Sequence, residues 1–281
     1  DVYKRQDSLF GLFKEGVVDK IGFIMLVLLS CAKTMSETSK VKAPLNTVPR
    51  FQKEASEIAL QMSQFAVGDL ERLLRVNAKI AVENYKRYQA FHAEGTPELP
   101  ALLAYTGIVF KRLNAKDFSK VEFEYAQEHL RLTSFCYGLL RPLDVIRSYR
   151  LEGDVVLPEL GNQTMFSYWQ SRLTDVFIED IKKAGGILCN LASDEMKSLF
   201  DWKRVEKEVH VITPEFQVWK NGKLASIVIY IKMSRGEMTR FILKNRIENP
   251  EDLKSFSWEG FEFNESLSNE KKFVFTNGKE I

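Results

Sequence analysis

Cysteine and histidine are scarce: 281 residues hold three of each, at Cys31, Cys136 and Cys189 and at His92, His129 and His210. No C-x-x-C, H-E-x-x-H or other metal-ligand spacing occurs, so zinc modules and thioredoxin-like dithiols are excluded and no metal site is expected. The cysteine density is also too low for a disulfide-stapled secreted fold and suits a reducing compartment. The glycines of a phosphate loop, of a dinucleotide fingerprint and of a G-x-S-x-G nucleophile elbow are missing, and no cofactor is expected. An excess of one charge is missing too. Forty Lys and Arg face 38 Asp and Glu, a net charge of +2, so a nucleic-acid surface must come from local clustering. No apolar run approaches the roughly 20 residues that span a bilayer, and no membrane partner is expected. There is no repeat or low-complexity linker, which favours one domain.

The main N-terminal apolar stretch, residues 21–29, runs into Ser30-Cys31. It admits two readings: a secretory signal ending in a lipoprotein-type cysteine, or a protein starting at Met25 whose residues 26–29 form the first buried strand. The flank decides against a signal. Residues 1–24 set Lys4, Arg5, Lys14 and Lys20 against Asp1, Asp7, Glu15 and Asp19, which is not a basic leader. The first residues, "DVYKRQ", back-translate as GAT GTG TAT AAG AGA CAG, similar to a transposase-end adapter used in sequencing libraries. Residues 1–24 are therefore expected to be translated adapter and upstream sequence outside the fold, with 25–281 as a single domain.

Apolar periodicity sets the elements. Phe51, Ala55, Ile58, Ala59, Met62 and Phe65 recur at helical spacing. Asp69 can cap a short helix ending near Arg75, and another can begin near Asn77. Residues 117–131 read as helix, and 137–154 as a turn-rich connection. Phe166, Trp169, Leu173, Val176, Phe177 and Ala184 mark a long helix stopped by Gly185-Gly186, followed by a short strand at 187–190. Runs at 209–218 and 224–231 flank Asn221-Gly222, a hairpin signal. Residues 232–247 return to helix, and strands are expected around Phe261 and Phe273. The fold class is mixed α/β: one mixed β-sheet with helices packed on it.

Four polar constellations can carry chemistry. Lys33 follows the first strand, where open α/β sheets bind ligands; it is an anion partner or a solvated loop lysine. Arg141 and Arg150 belong to an arginine-rich connection, where each can take an anion or pair internally with Asp144 and Glu152. Ser193, Asp194 and Glu195 follow the 187–190 strand; they cap a helix or serve as acid–base candidates. Lys232, Arg235 and Arg240 lie on the most basic helical strip, "KMSRGEMTRFILKNR".

Together, "LLSCAKT" (28–34), "EYAQEHLRLTSFCYGLLRPLDVIRSYRLE" (124–152), "NLASDE" (190–195) and "RGEMTRFI" (235–242) resemble the YaaA family of bacterial peroxide-stress proteins. The resemblance runs in order along almost the whole chain from Met25. It implies a cytoplasmic protein that helps cells survive hydrogen peroxide, limits free iron and so limits oxidative DNA damage. It also implies a positively charged cleft and a helix-hairpin-helix element that grips DNA backbone without reading sequence. The matching segment is 68–88. Its turn, "RVNAK", lacks the usual glycine, leaving Arg75 and Lys79 to compensate.

Two functions follow from different classes. In the first, Lys33, Arg75, Lys79, Arg141, Arg150, Lys232, Arg235 and Arg240 contact double-stranded or junction DNA. In the second, Lys33 and Arg141 with Ser193, Asp194 and Glu195 form an enzyme site for a phosphate-bearing or other small anion. Geometry separates them: an open basic groove suits DNA, and a pocket of both signs suits a small molecule.

Overall fold

The computed structural model describes residues 25–280; the expectation for residues 1–24 lies outside the described residues. In chain order the elements are β1 (Met25–Leu29), α1 (Gln52–Met62), α2 (Val67–Leu74), α3 (Ala78–Ala90), β2 (Glu98–Pro100), α4 (Ala101–Ala104), α5 (Ile108–Leu113), α6 (Lys120–His129), β3 (Leu130–Ser134), β4 (Gly138–Leu140), β5 (Val145–Arg147), β6 (Val156–Leu157) and β7 (Gln163–Thr164). They continue with α7 (Met165–Lys183), β8 (Ile187–Asn190), α8 (Asp194–Lys197), α9 (Trp202–Glu208), β9 (His210–Lys220), β10 (Lys223–Ala225), α10 (Val228–Asn245), β11 (Phe261–Phe263) and β12 (Lys272–Glu280).

The main sheet has eight strands in the order β11-β12-β9-β8-β1-β3-β4, with β10 paired to β9. The strands β3, β1, β8, β9 and β12 run parallel to their neighbours, while β4, β10 and β11 pair antiparallel. This is the expected mixed sheet. β1 sits between β3 and β8, and all its residues are buried. A strand covered on both faces needs an unbroken apolar run, which is why "MLVLL" shows no alternation.

Local chemistry sets the helix ends. The Ser119 side chain accepts from the Glu122 amide while Glu122 returns to the Ser119 amide, starting α6 with a reciprocal cap. Thr164 caps α7 by accepting from the Ser167 amide. Gly185 and Gly186, both at positive φ, end the turn that follows it. Asn221 and Gly222 also adopt positive φ, which is the geometry a two-residue hairpin requires.

Two expectations change. The hairpin's second strand stops at Ala225, and helix α10 starts at Val228. The β-branched run at 227–231 favours a strand locally, but the helix buries Gly236, Met238, Ile242 and Leu243, and tertiary burial outweighs β propensity. Residues 130–147, read as helix end and connection, contain β3, β4 and β5. β3 reads Leu-Arg-Leu-Thr-Ser, an alternation that lies directly against the helix before it, and β4 and β5 have three residues each, too short a run for the alternation to stand out.

Candidate functional site

The sheet reverses its winding at β1. After β1 the chain builds β3 and β4 on one flank, and after α7 it returns to build β8 and β9 on the other. The carboxyl ends of β1 and β8 therefore meet at a topological switch point, the place where α/β sheets form a ligand-binding crevice. "SCAKT" leaves β1 there, and "LASDE" leaves β8.

The two loops interlock. The Ser193 amide donates to Ser30 Oγ at 2.8 Å, and the two hydroxyls lie 3.3 Å apart. The Cys31 amide donates to Thr133 Oγ1 on β3 at 3.3 Å. Beside them Glu152 is shared by two cations. Lys33 Nζ donates to its Oε2 at 2.6 Å, and Arg150 Nη2 lies 3.1 Å from Oε1. A rigid frame holds this acid. Tyr88 on α3 donates to the Arg150 carbonyl at 2.6 Å. The Tyr149 hydroxyl is buried between Tyr105 (2.7 Å) and Ser134 (2.6 Å). Burial holds both phenols well above their ordinary proton affinity, so they act as neutral hydrogen-bonding groups.

The eight cations proposed from sequence do not all meet here. Lys33 and Arg150 converge on Glu152. Arg235 faces Asp194, and its buried Nε has no hydrogen-bond partner among the described residues. Asp194 itself is held by Lys197 at 2.7 Å, and this partner, aided by Arg235, keeps its carboxyl below the ordinary range. Arg141 follows β4, which runs back from the carboxyl edge, and it makes a two-pronged pair with Asp144 (3.2 and 2.9 Å). Arg240 grips Asp117 at 2.8 and 2.7 Å and also donates to the Leu113 and Asn114 carbonyls, fastening α10 to the end of α5. Lys79 and Lys232 are exposed.

α2 and α3 are joined by residues 75–77, matching the two-helix segment expected at 68–88. Arg75 takes the left-handed conformation that glycine ordinarily fills at a helix end, and its side chain pairs with Asp154. The hairpin thus abuts the loop that carries Glu152. Ser193 does not cap α8 through its side chain; its hydroxyl turns to Ser30 instead. Of the acids proposed with it, Asp194 is committed to Lys197, while Glu195 is exposed on the crevice side and acts electrostatically on Cys31. The sequence reading undervalued Ser30 and Glu152. The Arg150–Glu152 spacing was visible, but the meeting of Glu152 with Lys33, 119 residues away, had no local signal.

Cys31 lies in the crevice but is not poised for peroxide. Burial pushes its thiol up to about 12, and the nearby Glu195 and Glu152 add to this, with Thr133 opposing. Burial also raises Cys136 and Cys189. Only a thiolate reacts readily with peroxide or alkylating agents. The folded protein at neutral pH is therefore expected to consume neither hydrogen peroxide nor iodoacetamide at the rate of a free thiol. Rapid formation of one sulfenate per chain, read by mass spectrometry, would contradict this.

Among the described residues, no group of three or more His, Cys, Asp or Glu could hold a metal ion, and no helix is long and apolar enough to cross a membrane. Residues 25–267 match the family model described as "Peroxide stress protein YaaA". A UPF0246 protein of Bacteroides thetaiotaomicron is 85% identical over 254 residues, covering 90% of this chain and 99% of that protein. One from Bacteroides fragilis is 77% identical over 255 residues (91% and 99%), and one from Porphyromonas gingivalis 48% over 253 (89% and 99%). The chain belongs to the YaaA family of peroxide stress proteins.

Proposed function

We propose that this peroxide-stress protein binds a phosphate-bearing or other small anionic molecule in the crevice at the carboxyl ends of β1 and β8. One observation carries the reading: a buried carboxylate, Glu152, sits between two cations at the switch point. Phosphate-backbone binding has no need of a buried acid beside its cations. A small-molecule site uses both signs, one to hold the anion and one to orient or exchange protons with the rest of the ligand. Lys33 and Arg150 supply the positive side, Ser30 and Ser193 the hydroxyls, and Glu152 a carboxylate acceptor. Calorimetric titration of the whole chain with inorganic phosphate and pyrophosphate tests the reading. Binding should weaken about tenfold in Lys33→Ala, the equivalent of one charge-assisted contact. Absence of heat and of thermal stabilisation with either anion would overturn it.

DNA binding, which the family resemblance suggests, is a second reading. Its support is the α2–α3 hairpin beside the crevice, with Lys79 exposed near its turn and Lys232 exposed on α10. Affinity for duplex and four-way-junction DNA would fall with salt at a log–log slope of about −0.9 per phosphate neutralised. Lys79→Ala and Lys232→Ala would each reduce that slope by about one. No binding at low salt would remove this reading. A role in limiting free iron would, on either reading, act through the bound partner, for want of a metal-binding cluster among the described residues.

A further inference from the structure

Glu152 and Lys33 are unequally free to move. The Glu152 side chain is 10% exposed and that of Lys33 is 60% exposed. When a ligand anion reaches this edge, the lysine can turn to meet it on its flexible stem, while the acid stays in place. Arg150 stays as the second ion-pair partner, its Nη2 3.1 Å from Oε1, but both Oε1 and Arg150 Nε are buried without a hydrogen-bond partner among the described residues. Lys33 makes the hydrogen bond to Oε2, and when it turns away that oxygen loses its donor. A buried acceptor left without its donor is disfavoured. A bare anion therefore gains Lys33 only by uncovering Glu152, whereas a ligand that brings a hydroxyl next to its anionic group replaces what it takes.

We propose that the crevice selects phosphorylated sugars with free hydroxyls, the phosphate meeting Lys33 with Arg150 behind it and a ligand hydroxyl donating to Glu152 in the lysine's place. This inference rests on the anion-binding reading above and names its ligand class. Carboxylates hold ribose hydroxyls in the same way at the switch points of other α/β sheets. Ser30 and Ser193, 3.3 Å apart on the neighbouring loops, offer further hydroxyl partners. The backbone of duplex DNA offers no such donor, because both backbone oxygens of each deoxyribose are esterified.

The test is calorimetric titration of the whole chain with ribose 5-phosphate, adenosine 5′-monophosphate and sulfate, an anion with no proton to donate at neutral pH. The wild type should prefer ribose 5-phosphate to sulfate by about tenfold or more. Glu152→Gln, which keeps an acceptor, should retain a preference. Glu152→Met, which keeps the length but has no strong acceptor, should lose it while binding sulfate more tightly, because Lys33 is released. Tighter binding of the nucleotide than of the sugar phosphate supports the inference and assigns the ligand to nucleotides; equal or weaker binding of the nucleotide supports it and assigns the sugar phosphate itself. Equal affinity of the wild type for ribose 5-phosphate and sulfate overturns the inference and leaves anion binding standing. Absence of binding to all three by folded protein overturns both. The wild-type ratio decides even if Glu152→Met does not fold.

Discussion

Replacing Asp180 by alanine is expected to cost about 3–5 kcal/mol of stability, the range for removing one partner of a buried ion pair. Asp180 lies on α7 and accepts from Arg131 Nε at 2.8 Å and from Arg50 Nη2 at 3.0 Å. The Arg131 side chain, on β3, is only 10% exposed, so without the acid its charge is left unpaired in the interior. Its Nη1 bonds to the Gln127 and Leu130 carbonyls hold it there. At roughly 2–4 °C per kcal/mol for a domain of this size, the melting temperature should drop by about 6–20 °C. Arg50, being more exposed, should matter less: Arg50→Ala is expected to cost about 1 kcal/mol or below. An unchanged melting temperature in Asp180→Ala would show that the pair does not hold α7 to the sheet.

The pair also predicts acid sensitivity. Burial by itself would raise the Asp180 carboxyl, but the hydrogen bonds and charges of Arg131 and Arg50 outweigh it, and the net direction is down. A carboxyl lowered in the folded state contributes its stability above its unfolded value, about 3.9, and loses it as pH falls through the folded value. The stability gap between wild type and Asp180→Asn should be full at neutral pH and close only in acid.

The second large effect is expected at Gly236. Its helix, α10, lies so close to α5 that a Cβ there would overlap the Val109 carbonyl oxygen and come within 2.7 Å of Arg112 Cβ. A backbone carbonyl inside a helix cannot step aside as a side chain can. Gly236→Ala should therefore push the helices apart and cost about 1–3 kcal/mol, although alanine is the better helix former. It should also displace the neighbouring Arg235 and loosen the Arg240–Asp117 pair that fastens the same two helices. Gly68 is the control. It lies in α2, where a Cβ would meet only the flexible end of Arg72 at 4.0 Å. Gly68→Ala should be stabilising by roughly 0.5–1 kcal/mol. Equal melting temperatures for the two variants would show that α10 and α5 have room to spare.

What could be read in advance follows from the range of the interactions involved. The apolar run at 26–29 was legible as a strand buried on both faces, because it lacks alternation and its flank is not the basic leader of a signal; the strand begins one residue earlier, at Met25. The Gly185-Gly186 stop and the Asn221-Gly222 hairpin were legible because positive φ is a property of single residues. The 227–231 run was misleading for the complementary reason. Its preference is local, and the packing of Gly236 and Met238 that overrides it lies a full turn or more downstream.

The candidate site divides along the same line. The sequence by itself determined which residue types were available: a lysine after the first strand, an arginine two positions before a glutamate, hydroxyls and acids after the 187–190 strand. It also determined that thiol and histidine-rich metal chemistry were poorly provided for. Only the tertiary structure decided which of them meet. The order of strands around β1 brings 30–33, 150–152 and 190–195 to one edge, while Arg141, Arg240 and Arg75 turn to Asp144, Asp117 and Asp154 instead. Charge–charge attraction falls off over a few ångströms, so the partner a cation takes is set by where the chain returns, and that return is a property of the whole sheet.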